Sequence, residues 1–152
     1  MSITQSEDHK YWMKLALDEA VKAKNIGEIP VGAVIVKDNR VIASSYNLTN
    51  KIDQVSHAEK LVIDKALKYN KYLYDCTLYV TLEPCFMCAG AIILSRIGKV
   101  VFGASDEKAG AVGSLYNLLL DKRMNHNPIV VQGVLAEESS FLLKEFFKEK
   151  RK

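Results

Sequence analysis

Long apolar runs are missing from this 152-residue sequence. Residues 31–36 and 89–94 are among its most apolar segments, and both fall far short of the roughly 20 residues that a membrane-spanning helix requires. Residues 1–10 are polar and carry Glu7 and Asp8, without the basic flank and apolar stretch of a signal peptide, so a soluble, cytoplasmic protein with no membrane partner is expected. Proline and glycine are scarce, at 3 and 8, while 49% of residues are hydrophobic, a balance that excludes a disordered or low-complexity chain. Cysteine is scarce too: three is an odd number, and Cys85 and Cys88 stand too close for an ordinary structural bridge, which excludes a disulfide-stapled scaffold and leaves metal or redox chemistry. No strong charge of one sign is present. A net charge of +3 fits a polyanionic partner and many proteins without one. No internal repeat or linker divides the chain, so residues 1–152 are expected to form one domain, long enough to bury roughly two thirds of its unfolded surface.

What is there reads as alternating helices and strands. Trp12, Leu15, Ala16, Ala20 and Ala23 recur at helical spacing over residues 10–25, before Gly27 and Pro30. Residues 31–36 and 41–45 are β-branched runs joined by a polar link containing Asp38 and Asn39, which predicts an antiparallel hairpin. A helix over 57–67, a strand over 77–82, a helix opened by Pro84 and running to about Arg96, and strands over 100–103 and 129–134 follow. Between the last two strands the apolar run 115–120 reads as a crossover helix, which would let those strands run parallel. Residues 137–150 close the chain as a helix. The expected fold class is α/β, a three-layer arrangement with a five-stranded mixed sheet and helices on both faces.

Two motifs carry chemistry: His57-Ala58-Glu59 and Pro84-Cys85-Phe86-Met87-Cys88. Cysteines three apart on a helix share a face and can offer two sulfurs to one ion, with His57 adding a nitrogen from the facing helix. Three protein ligands leave the fourth position open, the mark of a catalytic zinc, and such an ion lowers the pKa of bound water toward about 7. His57 and Glu59 lie about 200° apart around an ideal helix, so they can converge only beyond its N-terminus. That geometry sets Glu59 beside the ion as a proton shuttle. Ser56-His57-Ala58-Glu59 also fits a capping box, and a lone Cys-x-x-Cys also fits a redox pair.

His57-x-Glu59 with Pro84-Cys85-x-x-Cys88 is the signature of the zinc-dependent cytidine deaminase-like enzymes, and the chain resembles their bacterial tRNA adenosine deaminase branch. The likeness runs through Tyr11-Trp12-Met13, Val31-Gly32-Ala33-Val34, Thr81-Leu82-Glu83-Pro84, Ser95-Arg96-Ile97-Gly98, Val101-Phe102-Gly103-Ala104, Met124-Asn125-His126 and Gly133-Val134-Leu135-Ala136. It implies one Zn²⁺ per subunit, a homodimer, and deamination of adenosine to inosine at the first anticodon position of a tRNA anticodon stem-loop. It also implies that the backbone at Ala58, Leu82 and Glu83 frames the base, that Asn47 contacts the nucleoside, and that Asp106 lies near RNA sugars.

The bland alternatives are a turn role for Asn47 and a solvated loop position for Asp106. The closing helix carries Lys144, Phe146, Phe147, Lys148 and Lys150 and leads to Arg151 and Lys152. Such a mixture could stack bases and neutralise phosphates, or could pack Phe146 on the core beneath a basic face. Cys76 reads as a free thiol, Trp12 as core, and His9 and His126 as non-ligands. Two rival functions stay open at this stage. One is a deaminase of free bases or nucleosides such as guanine, cytosine or cytidine; the other is a zinc-stabilised RNA-binding module without activity.

Overall fold

A computed structural model describes residues 5–150. Helix α1 (Gln5–Asn25) leads to strands β1 (Gly32–Lys37) and β2 (Arg40–Tyr46), then helix α2 (Ala58–Leu67), strand β3 (Cys76–Leu82) and helix α3 (Phe86–Ser95). Strands β4 (Lys99–Ala104) and β5 (Ile129–Val131) and helix α4 (Ala136–Lys150) follow. The strands form one sheet in the order β2-β1-β3-β4-β5. β1 is antiparallel to both its neighbours, whereas β3, β4 and β5 run parallel, so the sheet is mixed as expected.

Side-chain alternation along the central strands divides the core into two layers. Ala33 and Ile35, Leu78 and Val80, and Val100 and Phe102 face α2 and α3, packing with Val62, Ile63, Ala89 and Ile92. Val34, Val36, Tyr79 and Val101 face the other way, toward Met13 and Ala16 of α1, with Trp12 half-buried at the margin. Each fully buried aliphatic side chain contributes roughly 1.5–3 kcal/mol, so the central strands, apolar on both faces, are the stable base of the molecule. At the β1–β2 turn, Asp38 and Asn39 take left-handed φ angles of 50° and 61°. These suit a two-residue hairpin whose twist matches that of the strands, and Lys37 pairs with Arg40 across it.

Three sequence expectations change. The segment 105–128 contains no crossover helix: Val112 bridges to Asn117, Gly113 has a φ of 131°, and the amide of Leu118 donates to the Ala111 carbonyl. Gly110, Gly113 and Asn117 favour turns here, and the run 115–120 supplies Leu119 to the core from an irregular path. Pro84 lies two residues before α3 begins, because Cys85 takes the extended cap position. The capping box does not form either: His57 caps α2, while the Ser56 hydroxyl donates to Asp53.

The topology gathers one set of chain ends along one edge of the sheet. β2, β3 and β4 all end there and β1 begins there, so Asn47, residues 83–85, residues 105–106 and residues 28–31 meet. In open α/β sheets this is the edge at which ligands bind. No helix among the described residues is long and apolar enough to cross a membrane.

Candidate active site

His57 and Cys85 occupy equivalent places. Each is the N-cap of its helix in extended conformation, with φ,ψ of −73°,151° and −78°,177°, and neither side chain makes a capping hydrogen bond. Side chains at a helix start lean toward the N-terminus, so these two, with Cys88 from the first turn of α3, converge in the space between the helix ends. His57 Nδ1 stands 3.5 Å from Cys85 Sγ and 3.6 Å from Cys88 Sγ. A tetrahedral zinc with Zn–N near 2.0 Å and Zn–S near 2.3 Å separates its nitrogen and sulfur ligands by about 3.5 Å, so the three donors stand at the spacing the ion needs. Among the described residues no other group of three or more His, Cys, Asp and Glu side chains brings its ligand atoms this close together.

The electrostatics suit a thiolate-rich site. The hydrogen-bonded Cys88 thiol, outweighing burial and assisted by His57, holds Cys85 down to about 4. The same contact, together with burial, drives Cys88 upward, so the two sulfurs share one proton that a cation would displace. His57 is raised, chiefly by its hydrogen bond to Cys85. Two thiolates and a neutral imidazole balance the charge of Zn²⁺, and the free amides of two helix starts add positive potential.

Glu59, the second residue of α2, is only 4% exposed. Burial pushes its carboxyl up to about 7, and its surroundings include His57, Cys85 and the Cys88 thiol. A group so placed can both take and give a proton near neutral pH, the property a shuttle needs. A pocket of about 240 Å³ opens beside it, lined by His57, Ala58, Glu59 and Cys85 at its floor. One wall carries Ile29, Val31, Asn47, Thr49 and Gln54, and the opposite wall carries Leu82, Glu83, Asp106 and Ala109. The polar-tipped, mostly apolar cleft is of the size and kind that takes a heterocyclic base.

Asn47, Ala58, Leu82, Glu83 and Asp106 thus all stand around one cavity. Asn47 is buried, and its side-chain amide donates to the Thr49 hydroxyl at 3.1 Å. Asp106 accepts from the amides of Lys108 and Ala109, so its carboxylate orders its own turn as well as facing the pocket. The Glu83 side chain is turned away from a base and toward the backbone. It accepts from the amides of Asp106, Val112 and Ser114 and from the Ser114 hydroxyl. Although burial raises its pKa, those hydrogen bonds outweigh it and hold the carboxyl below the usual range. Phe147, Lys148 and Lys150 lie exposed on α4 and do not line the pocket, while Phe146 is buried beneath Phe147, and Arg151 and Lys152 fall outside the described residues.

Sequence reasoning missed Glu28, Thr49 and Gln54. Glu28 is fully buried, and its two oxygens accept from the amides of Asn50 and Lys51. A glutamate between Gly27 and Pro30 carries no local signal of such a role, because its partners lie more than 20 residues away. His9 bonds to the Tyr79 hydroxyl, His126 donates to the Ile97 carbonyl, and Cys76 is a buried free thiol.

Residues 6–104 match the family model described as the cytidine and deoxycytidylate deaminase zinc-binding region. The chain is 51% identical over 153 aligned residues to the tRNA-specific adenosine deaminase of Bacillus subtilis (strain 168), covering 99% of this chain and 93% of that one. It is 49% identical to the protein of the same name from Haemophilus influenzae, covering 97% and 87%. Its fold is similar, with a TM-score of 0.83 at 43% identity over 88% of this chain and 99% of the other, to a structure from work on A-to-I editing by tRNA:A34 deaminases. With the ligand spacing, the open cleft and these likenesses in hand, the chain belongs to the zinc-binding cytidine and deoxycytidylate deaminase family.

Proposed function

We propose that this protein is a tRNA adenosine deaminase that hydrolyses adenosine to inosine at the first anticodon position, releasing ammonia. The observation that carries the chemistry is the convergence of His57 Nδ1 and two cysteine sulfurs at zinc spacing, with the buried Glu59 beside them at the floor of a base-sized cleft. The relatives named for tRNA adenosine support the choice of substrate.

His57, Cys85 and Cys88 would hold the ion, one per chain, which when bound supplies a Lewis acid that makes hydroxide available near neutral pH. Glu59 moves the protons. Its carboxylate takes one from the attacking water and passes it to N1 of adenine as oxygen adds at C6; it then takes the second proton, from the new C6 hydroxyl, and delivers it to the departing amino group as the C6–N bond breaks and the C6 carbonyl forms. Ala58, Leu82 and the backbone at Glu83 bound the base, Asn47 reaches the nucleoside, and Asp106 lies at the sugar side of the opening. An anticodon loop suits this cleft, because extruding an already unstacked base costs less than opening a duplex. Outside the cleft, Phe147, Lys148 and Lys150 on α4 offer an exposed ring and cations for further RNA contact.

A homodimer is part of this reading. Phe86 and Leu94, 69% and 75% exposed, fall on one stripe of α3, a residue pattern that asks to be covered. A tRNA substrate also places the protein in the cytoplasm. The test offers tRNA lacking inosine, free adenosine, cytidine and guanine to the purified zinc-loaded protein. Inosine in the anticodon is the expected product; a deaminated free base with unmodified tRNA would overturn the substrate, and no ammonia from any of them would leave only a binding module.

A further inference from the structure

Glu28 lies in the connection between α1 and β1, outside the metal group and outside the cleft lining, yet it is completely buried. A carboxylate in such a place costs stability unless hydrogen bonds compensate, and a core that needed only volume would use an apolar side chain. Its two oxygens are separately occupied: Oε1 accepts from the amide of Asn50 at 2.9 Å and Oε2 from that of Lys51 at 2.8 Å. The Asn50 side chain returns the contact by donating to the Gly27 carbonyl at 3.2 Å. Both ends of one carboxylate thus grip the tip of the loop between β2 and α2.

That loop has little else to hold its tip. Of its apolar residues only Leu48, near the base, is half-buried, while Ile52 and Val55 are 60% and 48% exposed and anchor nothing in the core. Its remaining bonds are near its base or within itself: Asn47 to the Val31 carbonyl, Leu48 to the Ser56 carbonyl, and Ile52 to the Leu48 carbonyl. Yet the loop supplies three of the residues that line the cleft. Asn47, Thr49 and Gln54 face the cavity and are linked in series, Asn47 Nδ2 to Thr49 Oγ1 and Gln54 Nε2 to the Thr49 carbonyl.

We infer that Glu28 is a positioning residue: it fixes residues 47–54 in the one arrangement that receives the nucleoside, and so sets substrate affinity without taking part in the chemistry. This inference rests on the deaminase reading above. Glu28→Met keeps the side-chain length and removes both acceptors, and the exposed Asn50 and Lys51 can turn their amides to water. If the loop is then correctly placed about a tenth of the time, apparent affinity falls about tenfold.

The experiment measures steady-state inosine formation in an anticodon stem-loop RNA, zinc content, and amide hydrogen exchange for wild type, Glu28→Met and Glu28→Gln. Expected for Glu28→Met is a KM raised about tenfold with kcat within about threefold and one zinc per chain. The amides of Asn50 and Lys51 should exchange faster while those of α2 do not change, and Glu28→Gln, which keeps one acceptor, should fall between. An unchanged KM, or a kcat that falls in step with zinc content, overturns the inference. Should the variants fail to fold, wild type alone decides: Asn50 and Lys51 amides that exchange as fast as in a free peptide refute the clamp. Wild type that makes no inosine would instead sink the proposed function, and the exchange data would still judge the clamp.

Discussion

Replacing Glu83 with glutamine removes half of the acceptor that holds segment 105–114 against the cleft. In the native protein Oε1 takes the Asp106 amide and the Ser114 hydroxyl, while Oε2 takes the amides of Val112 and Ser114. The glutamine oxygen can serve one pair, and its NH₂ then faces donors on the other side. If that side holds the buried Val112 amide, the unpaired donor costs about 1–3 kcal/mol and the second lost bond to a charged acceptor about 1.5–3, or about 2.5–6 kcal/mol together. At about 2–4 °C per kcal/mol for a chain of this size, Tm drops on the order of 10 °C. The carboxyl is held below its unfolded value near 4.5, so its contribution is fully present above that pH and is lost as pH falls through the lower native value. A protonated Glu83 has the same defect as glutamine. Thermal unfolding of both zinc-loaded proteins between pH 7 and 8 should therefore show a constant gap in Tm, and metal-free samples followed below pH 4.5 should show it closing. A gap below about 2 °C at pH 7, or one that persists undiminished in acid, would refute the reasoning.

Three further outcomes follow from the same geometry. Glu59→Gln keeps the shape of the side chain but cannot shuttle protons, so inosine formation should fall by about 10²–10⁴ with one zinc still bound by metal analysis; near-normal turnover would exclude Glu59 from the proton path. Cys85→Ala should lose the metal and all activity and unfold at lower temperature, as should wild type treated with a chelator, and added zinc should restore only the latter. Full zinc occupancy in that variant would overturn the ligand assignment. A Cβ at Gly110 would overlap the Glu83 carboxylate, so Gly110→Ala should weaken the same clamp as Glu83→Gln. In a double-mutant cycle of Tm or unfolding free energy the two should be less than additive, and strict additivity would separate them.

The parts of the fold that could be read in advance are those with a local period or a local constraint. β-Branched alternation marks β1, β3 and β4, and the helical spacing of Ala58, Val62 and Ala66 marks α2, because burial on a fixed face repeats with the geometry of the element. The metal group was legible for a different reason: few chemistries require His-x-Glu and Cys-x-x-Cys on two helices. The crossover between β4 and β5 forms as the parallel pairing requires, but without a helix, because Leu115 to Leu120 are apolar without being periodic and the segment is shaped by distant acceptors, Glu83 above all. Glu28 and Glu83 look in sequence like any surface acids. Only the fold brings backbone amides 22 to 31 residues away within reach of them.

The two helix caps show why the site stands out from its surroundings. Ser, Thr, Asp or Asn at an N-cap stabilises a helix by about 1 kcal/mol through a side-chain bond to the first turn, and both α2 and α3 forgo it. Ser56 is adjacent to the cap of α2 and could have served one residue later, yet its hydroxyl bonds to Asp53 instead. Histidine and cysteine hold the cap positions with their donor atoms directed at each other across 3.5 Å. A local preference given up twice, at the two helix starts that face each other, is the expected trace of a site whose stabilising partner is an ion rather than a backbone amide. The same choice leaves the first-turn amides of both helices free to favour negative charge on sulfur, so the sacrifice in helix stability and the gain in metal affinity come from the same two residues.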